Sequence, residues 1–157
     1  ELNKFIGKFS SLPIKIYAFV MKKHLSVSSF REYYFQAVSN SSWANEGYLV
    51  ALDIDESDEE LMDLMKRLSY SFGIGVISLN SQNVDESVIL ARAEFRENLD
   101  YSVMNELSMK NPDFKKFLES VEEFNIEKEY RSKSEFDEVL DNDKLDNYLI
   151  NKKIMNN

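Results

Sequence analysis

Apolar and polar positions along the chain fall into blocks that switch between a two-residue and a 3.6-residue period. At the start, Leu2, Phe5, Ile6 and Phe9 have helical spacing, and "SSLP" breaks the short helix they predict. "IKIYAFVM", residues 14–21, is β-branched and aromatic and reads as a strand. It is apolar on both faces near its end, as a central strand covered on two sides would be. "SVSSFREYYFQAVSNSSWA" predicts a helix with an apolar stripe of Phe30, Tyr33, Tyr34, Ala37, Val38 and Ser41. Ser28 or Ser29 is its expected cap, and Gly47 its expected left-handed stop.

"YLVALDI" reads as a second central strand. "DESDEELMDLMKRLSYSFG" reads as a second helix, capped near Ser57 or Asp58, buried through Leu61, Leu64, Met65, Leu68 and Phe72, and ended by Gly73. "IGVISLN" is a third strand and "SVILARAEF" a fourth. Strand–helix–strand–helix–strand order calls for parallel pairing with right-handed crossovers. Beyond residue 98 the period is helical. "LDYSVMNELSMK" is one segment. "NPDFKKFLESVEEFNIEKEY" is another, with Asn111 as cap, Pro112 at the first helical position, and a stripe of Phe114, Phe117, Leu118, Val121 and Phe124. The expected organisation is one α/β domain over residues 1–125 with a mixed sheet of about four strands flanked by helices, then a helical or frayed tail over 126–157.

Composition narrows the function classes. The 157 residues are 43% hydrophobic and 13% aromatic, enough for a packed core. There is no cysteine, which excludes disulfides and thiolate metal sites and fits a reducing cytoplasm. No apolar run approaches a membrane span. The first residue is Glu1 rather than methionine, so a fragment of a longer protein is expected. The net charge of −9 opposes a strong sequence-blind grip on phosphates. Its distribution is uneven: residues 1–52 carry Lys4, Lys8, Lys15, Lys22, Lys23 and Arg31 against Glu1, Glu32 and Glu46, and the remainder is net acidic, with thirteen bases against twenty-five acids. A polyanion has a welcome only in the first third.

Few motifs carry chemistry. "GIG" at Gly73–Gly75 follows a helix and opens a strand, the reverse of a phosphate-binding loop, so it reads as a helix cap. With His24 the sole histidine, His-rich metal sites are excluded, and a loop-supporting role fits it best. Asp53 and Asp55 alternate at a strand end, where α/β sites gather, but read mainly as loop and helix-start chemistry. Gln36, Asn40 and Trp43 share a helix face by spacing, which suits either a polar cleft or a helix packed through small residues with Trp43 as anchor. "VMK" at Val20–Lys22 is the sharper feature. Metal-dependent nucleases need carboxylates to hold Mg²⁺ and a lysine to position the attacking water. An acid and a lysine two residues apart on a strand point the same way. Here the lysine is present and valine stands in the acid's place.

"SFREYYFQAVSNSSWANEGYLVAL", "LSYSFGIGVISLN" and "ILARAEFRENLDYSVMNELSMKNPDFKKFL", within about residues 12–122, resemble the C-terminal region of HrgA-type bacterial proteins found near restriction–modification genes. That family resembles the PD-(D/E)XK nucleases: an upstream Pro-Asp strand, a strand ending Phe-Glu-x-Lys, then a glutamine-bearing helix. The resemblance implies a restriction-endonuclease-like fold in which Lys22 matches the motif lysine and Gln36 the helix glutamine. Val20 falls where the glutamate belongs, and the upstream Pro-Asp strand has no counterpart. The expectation is therefore a cleavage-deficient, restriction-associated protein or fragment. Its remnant site is Lys22 and Gln36, in a cleft with Val20, Glu32 and Asn40. It would take no metal as it stands, and Mg²⁺ only if the missing acids come from elsewhere. Weak DNA binding would run through Lys22, Lys23 and Arg31. Two alternatives stay open: a protein-interaction module using the acidic C-terminal helices, and an endonuclease completed by an absent N-terminal part or partner.

Overall fold

The computed structural model describes Lys4, Ile6, Gly7 and residues 14–123 and 140–151. In chain order the elements are β1 (Tyr17–Lys22), α1 (Val27–Asn40), β2 (Glu46–Leu52), α2 (Glu59–Phe72), β3 (Gly75–Leu79), a 3₁₀ turn at Val84–Glu86, β4 (Val88–Ala91), α3 (Tyr101–Lys110), α4 (Pro112–Glu123) and α5 (Asn142–Asn151). Lys4, Ile6 and Gly7 are helical, in keeping with the first expected helix; its other residues lie outside the described ones. The expected tail contains α5, and the join at 126–139 lies outside the described residues.

The fold is α/β, with a four-stranded mixed sheet in the order β1-β2-β3-β4. β1 pairs with β2 and β2 with β3 in parallel; β4 returns antiparallel to β3 with a register shift near Val76 and Ile77. Among the described residues β1 is an edge strand, which corrects the expectation of a central one. Its two faces differ: Ala18 is buried and Val20 and Lys22 are half-buried, while Tyr17, Phe19 and Met21 are exposed. Apolar residues occupy both faces, so the sequence looked doubly covered when only one face is.

The covered face holds the core. α1 contributes Phe30, Tyr34 and Ala37, β2 Leu49 and Ala51, α2 Leu61, Leu64, Met65 and Leu68, and the β3 region Ile74 and Val76. A second cluster joins Ile16 and Ala18 to Ala44, Leu99, Met104 and Leu118, seating α3 and α4 near the start of β1. Tyr34 ties the layers together. Its hydroxyl donates to the Ile74 carbonyl at 3.0 Å and accepts from the Ile74 N–H at 3.2 Å, and burial pushes the phenol's pKa up.

Local chemistry explains the ends. Ser26, not Ser28 or Ser29, caps α1; it and Ser29 form a reciprocal capping box. α1 stops at Asn40, three residues short of Trp43. Gly47 is not its left-handed cap but lies within β2, where a Cβ would meet the Ser41 Oγ at 2.4 Å. Asp58 caps α2 and Gly73, at φ 71°, ends it as expected. Asn111 caps α4, its Oδ1 accepting from the N–H groups of Asp113 and Phe114. Asn45, 3% exposed, locks the sheet's lower end: its Oδ1 accepts from the Ile16 N–H at 2.8 Å and its Nδ2 donates to the Arg96 carbonyl at 3.0 Å. No described helix is long and apolar enough to cross a membrane.

Candidate functional site

Lys22 ends β1 on the covered face, and α1 runs back beside it. This brings two helix side chains to the lysine and a third to one of them. Lys22 Nζ donates to Gln36 Oε1 at 2.8 Å and sits 4.3 Å from the centre of the Tyr33 ring. Gln36 Nε2 in turn donates to Glu32 Oε1 at 3.2 Å. The helix supplies this set because Glu32 and Tyr33 lie four and three residues before Gln36, the separations at which helix side chains are neighbours. The amide polarises both ways: it accepts from a cation and donates to a carboxylate, so the three groups form a charge-assisted relay. Tyr33, read from sequence only as a stripe residue, supplies the aromatic face that a part-desolvated ammonium favours.

Val20 precedes Lys22 by two residues and is half-buried on the same side, packed on the core. The geometry thus places valine's methyl groups where a glutamate at this position would present oxygen. Glu32 is the carboxylate that reaches this cluster, and one of its oxygens is engaged by Gln36. A hard divalent cation such as Mg²⁺ relies on one or two carboxylates besides its waters. Among the described residues no group of three His, Asp or Glu side chains is arranged to hold a metal. With Glu32 as its one carboxylate, already shared with Gln36, the cluster is a poor fit to a nuclease metal ion.

The other candidates lie apart from the relay. Lys23, His24 and Arg31 are exposed. Asn40 lines a different groove of about 280 Å³ with Ser39, Trp43, Val103, Leu107, Asn111 and Phe114. Spacing placed Gln36, Asn40 and Trp43 together. The helix ends at Asn40, so Trp43 instead turns edge-on to Phe114, 4.8 Å between ring centres. Asp53 and Asp55 are local devices, as their loop reading expected. Asp53 stands at φ 44°, its Oδ1 accepts from the Ser81 N–H at 3.1 Å, and the Ser81 hydroxyl and N–H hold its carboxyl below the usual range. Asp55 Oδ1 accepts from the hydroxyl and N–H of Ser57, which lower its pKa likewise.

No protein-family model, curated protein or solved structure matches this chain.

Proposed function

We propose that this chain is a nuclease-fold protein or fragment of the restriction-associated type that has lost the means to cut. The Lys22–Gln36 hydrogen bond at 2.8 Å is the observation that carries the reading. A strand lysine and a glutamine of the next helix, 14 residues apart, meet, which supports the resemblance to HrgA-type and PD-(D/E)XK proteins; Val20 stands where that resemblance expects the metal-binding glutamate. The parallel order of β1, β2 and β3, with α1 crossing between the first two, is compatible with such a fold.

In this reading the cluster is a phosphate-facing cation rather than a reaction centre. Lys22 is oriented by Gln36 and steadied on Tyr33; Lys23 and Arg31 supply further positive charge. Duplex DNA is the ligand, held weakly because three cations release few counterions. Salt-titrated anisotropy with a labelled duplex tests this. Wild type should bind at low salt only. A Lys22→Gln/Lys23→Gln/Arg31→Gln variant should lose that binding. Absence of binding by wild type at the lowest salt overturns the DNA reading and favours a protein partner for the acidic surface beyond residue 52.

A further inference from the structure

The face of β1 turned away from Lys22 carries a different pattern. From Lys15 to Lys23, exposure alternates without a break: Lys15, Tyr17, Phe19, Met21 and Lys23 are exposed, and Ile16, Ala18, Val20 and Lys22 are buried or half-buried. Tyr17, Phe19 and Met21 are 45%, 56% and 67% exposed. Large apolar side chains in a row on one strand are costly to leave in water, and a cation closes the row at each end.

The rings are ordered rather than merely present. Tyr17 and Phe19 stack with centres 6.3 Å apart and planes 16° apart; Phe19 and its cross-strand partner Tyr48 stack at 5.8 Å and 21°. Tyr48 lies flat across the neighbouring strand because position 75 is glycine: a Cβ there would come within 2.3 Å of the ring. Beside this ladder Lys15 Nζ sits 5.3 Å from the centre of the half-exposed Phe95 ring. Glu46, in register with Tyr17, is the acid of the ladder, and the Tyr48 hydroxyl donates to its Oε2 at 3.0 Å.

We infer that this ladder is a stacking platform for single-stranded DNA, with Tyr17 and Phe19 taking the bases and Lys15 and Lys23 the phosphates. Half-exposed, near-parallel rings on a sheet surface offer aromatic area that any base can stack on, and cations flanking them follow the backbone. The six residues of β1 span roughly 20 Å at about 3.3 Å per strand residue, room for a short run of nucleotides between the two cations. The charge balance agrees: the ladder lies in the basic first third of an otherwise acidic chain. Between the cations the exposed side chains are Tyr, Phe and Met. The carboxylate beside them, Glu46, already accepts from the Tyr48 hydroxyl, so DNA is the assignment and RNA an outcome of the test. The platform is on the opposite side of β1 from the Lys22 relay and does not rest on the nuclease reading.

The test is fluorescence anisotropy with a short labelled oligothymidylate at low salt, beside its RNA counterpart, using the whole chain. Wild type should bind the DNA oligomer. Phe19→Ala should weaken binding roughly 5- to 150-fold, the loss expected from one stacked base. Lys15→Gln/Lys23→Gln should reduce the slope of log affinity against log salt by about 0.7 per cation. Lys66→Gln, an exposed cation on α2, should leave the affinity unchanged. Circular dichroism confirms that each variant is folded; Phe19→Ser is the second probe should Phe19→Ala aggregate. No binding by wild type, affinity indifferent to Phe19, or tighter binding of RNA each overturns the assignment. So does sedimentation showing that the face pairs two copies in a dimer that Phe19→Ala dissolves while oligomer binding is absent.

Discussion

Replacing Tyr34 with phenylalanine removes one oxygen from the centre of the molecule. That oxygen bonds both backbone groups of Ile74, donating at 3.0 Å and accepting at 3.2 Å, and both residues are fully buried. The ring remains and keeps its contacts with Phe30, Phe35 and Phe72. The loss is therefore two hydrogen bonds plus an Ile74 N–H and C=O left without partners away from water. At about 1 kcal/mol net per bond, and 1–3 kcal/mol for a stranded buried group, the expected cost is about 2–4 kcal/mol. In a chain of this size that corresponds to a fall of roughly 5–15 °C in Tm. Urea unfolding followed by circular dichroism measures it, with Tyr70→Phe, at an 89% exposed position, as the matched control expected to change little. There is a pH signature as well. Burial raises the Tyr34 phenol above its ordinary value of 10.0, so above that pH the unfolded chain sheds a proton that the folded chain keeps. Stability is then complete below about pH 10 and falls as pH climbs toward the raised pKa, and Tyr34→Phe should flatten that alkaline decline. A Tyr34→Phe protein melting within about 2 °C of wild type would refute the idea that this hydroxyl pins α1 to β3.

Three further outcomes follow from the same structure. Gly75→Ala must displace the Tyr48 ring, with Cβ–ring distances of 2.3 and 2.4 Å, and should cost about 1–3 kcal/mol in urea unfolding. Asp53→Asn keeps an acceptor for Ser81 but removes a carboxyl whose pKa is lowered; wild type keeps that carboxyl's stabilisation above the ordinary carboxylate range and loses it as pH falls through the lowered pKa, so the variant's acid unfolding curve should be shallower. Val20→Glu should raise Mg²⁺ affinity measurably by calorimetry, because Glu32 then has a second carboxylate near it, while cleavage stays poor without the upstream aspartate.

How far the fold was legible depends on which interactions are local. β2 and β3 were readable because unbroken apolar runs bounded by turn residues fit buried parallel strands, and Leu49, Ala51 and Val76 do face the core. Asp58, Gly73 and Asn111 were readable because capping is settled within a few residues. The edge position of β1 was not, since Tyr17, Phe19 and Met21 look the same in sequence whether a layer covers them or not. Gly47 signalled a need for glycine, but the reason is a close approach by Ser41, not a left-handed turn. Nothing in the pattern marked Asn45, whose bonds reach Ile16 and Arg96, 29 and 51 residues away. At the candidate site, the resemblance put Lys22 and Gln36 in one cleft, helical spacing put Glu32 one turn before Gln36, and the structure brings the three side chains together. The role of Tyr33 was not, because a stripe aromatic and a cation's platform share one identity. Trp43 parted from Gln36 because the helix stops at Asn40, before the turn that would have carried it.

Val20 offers the Lys22 cluster no oxygen, and the proposed loss of cutting rests on that. Incubating the purified chain with supercoiled plasmid and labelled oligonucleotides in Mg²⁺ or Mn²⁺ tests it most directly. No metal-dependent cleavage is expected at any protein concentration. Robust cleavage that chelator abolishes, and that disappears in Lys22→Ala and in Glu32→Gln, would contradict it and identify Glu32 as a metal-binding acid that has moved from the strand to the helix.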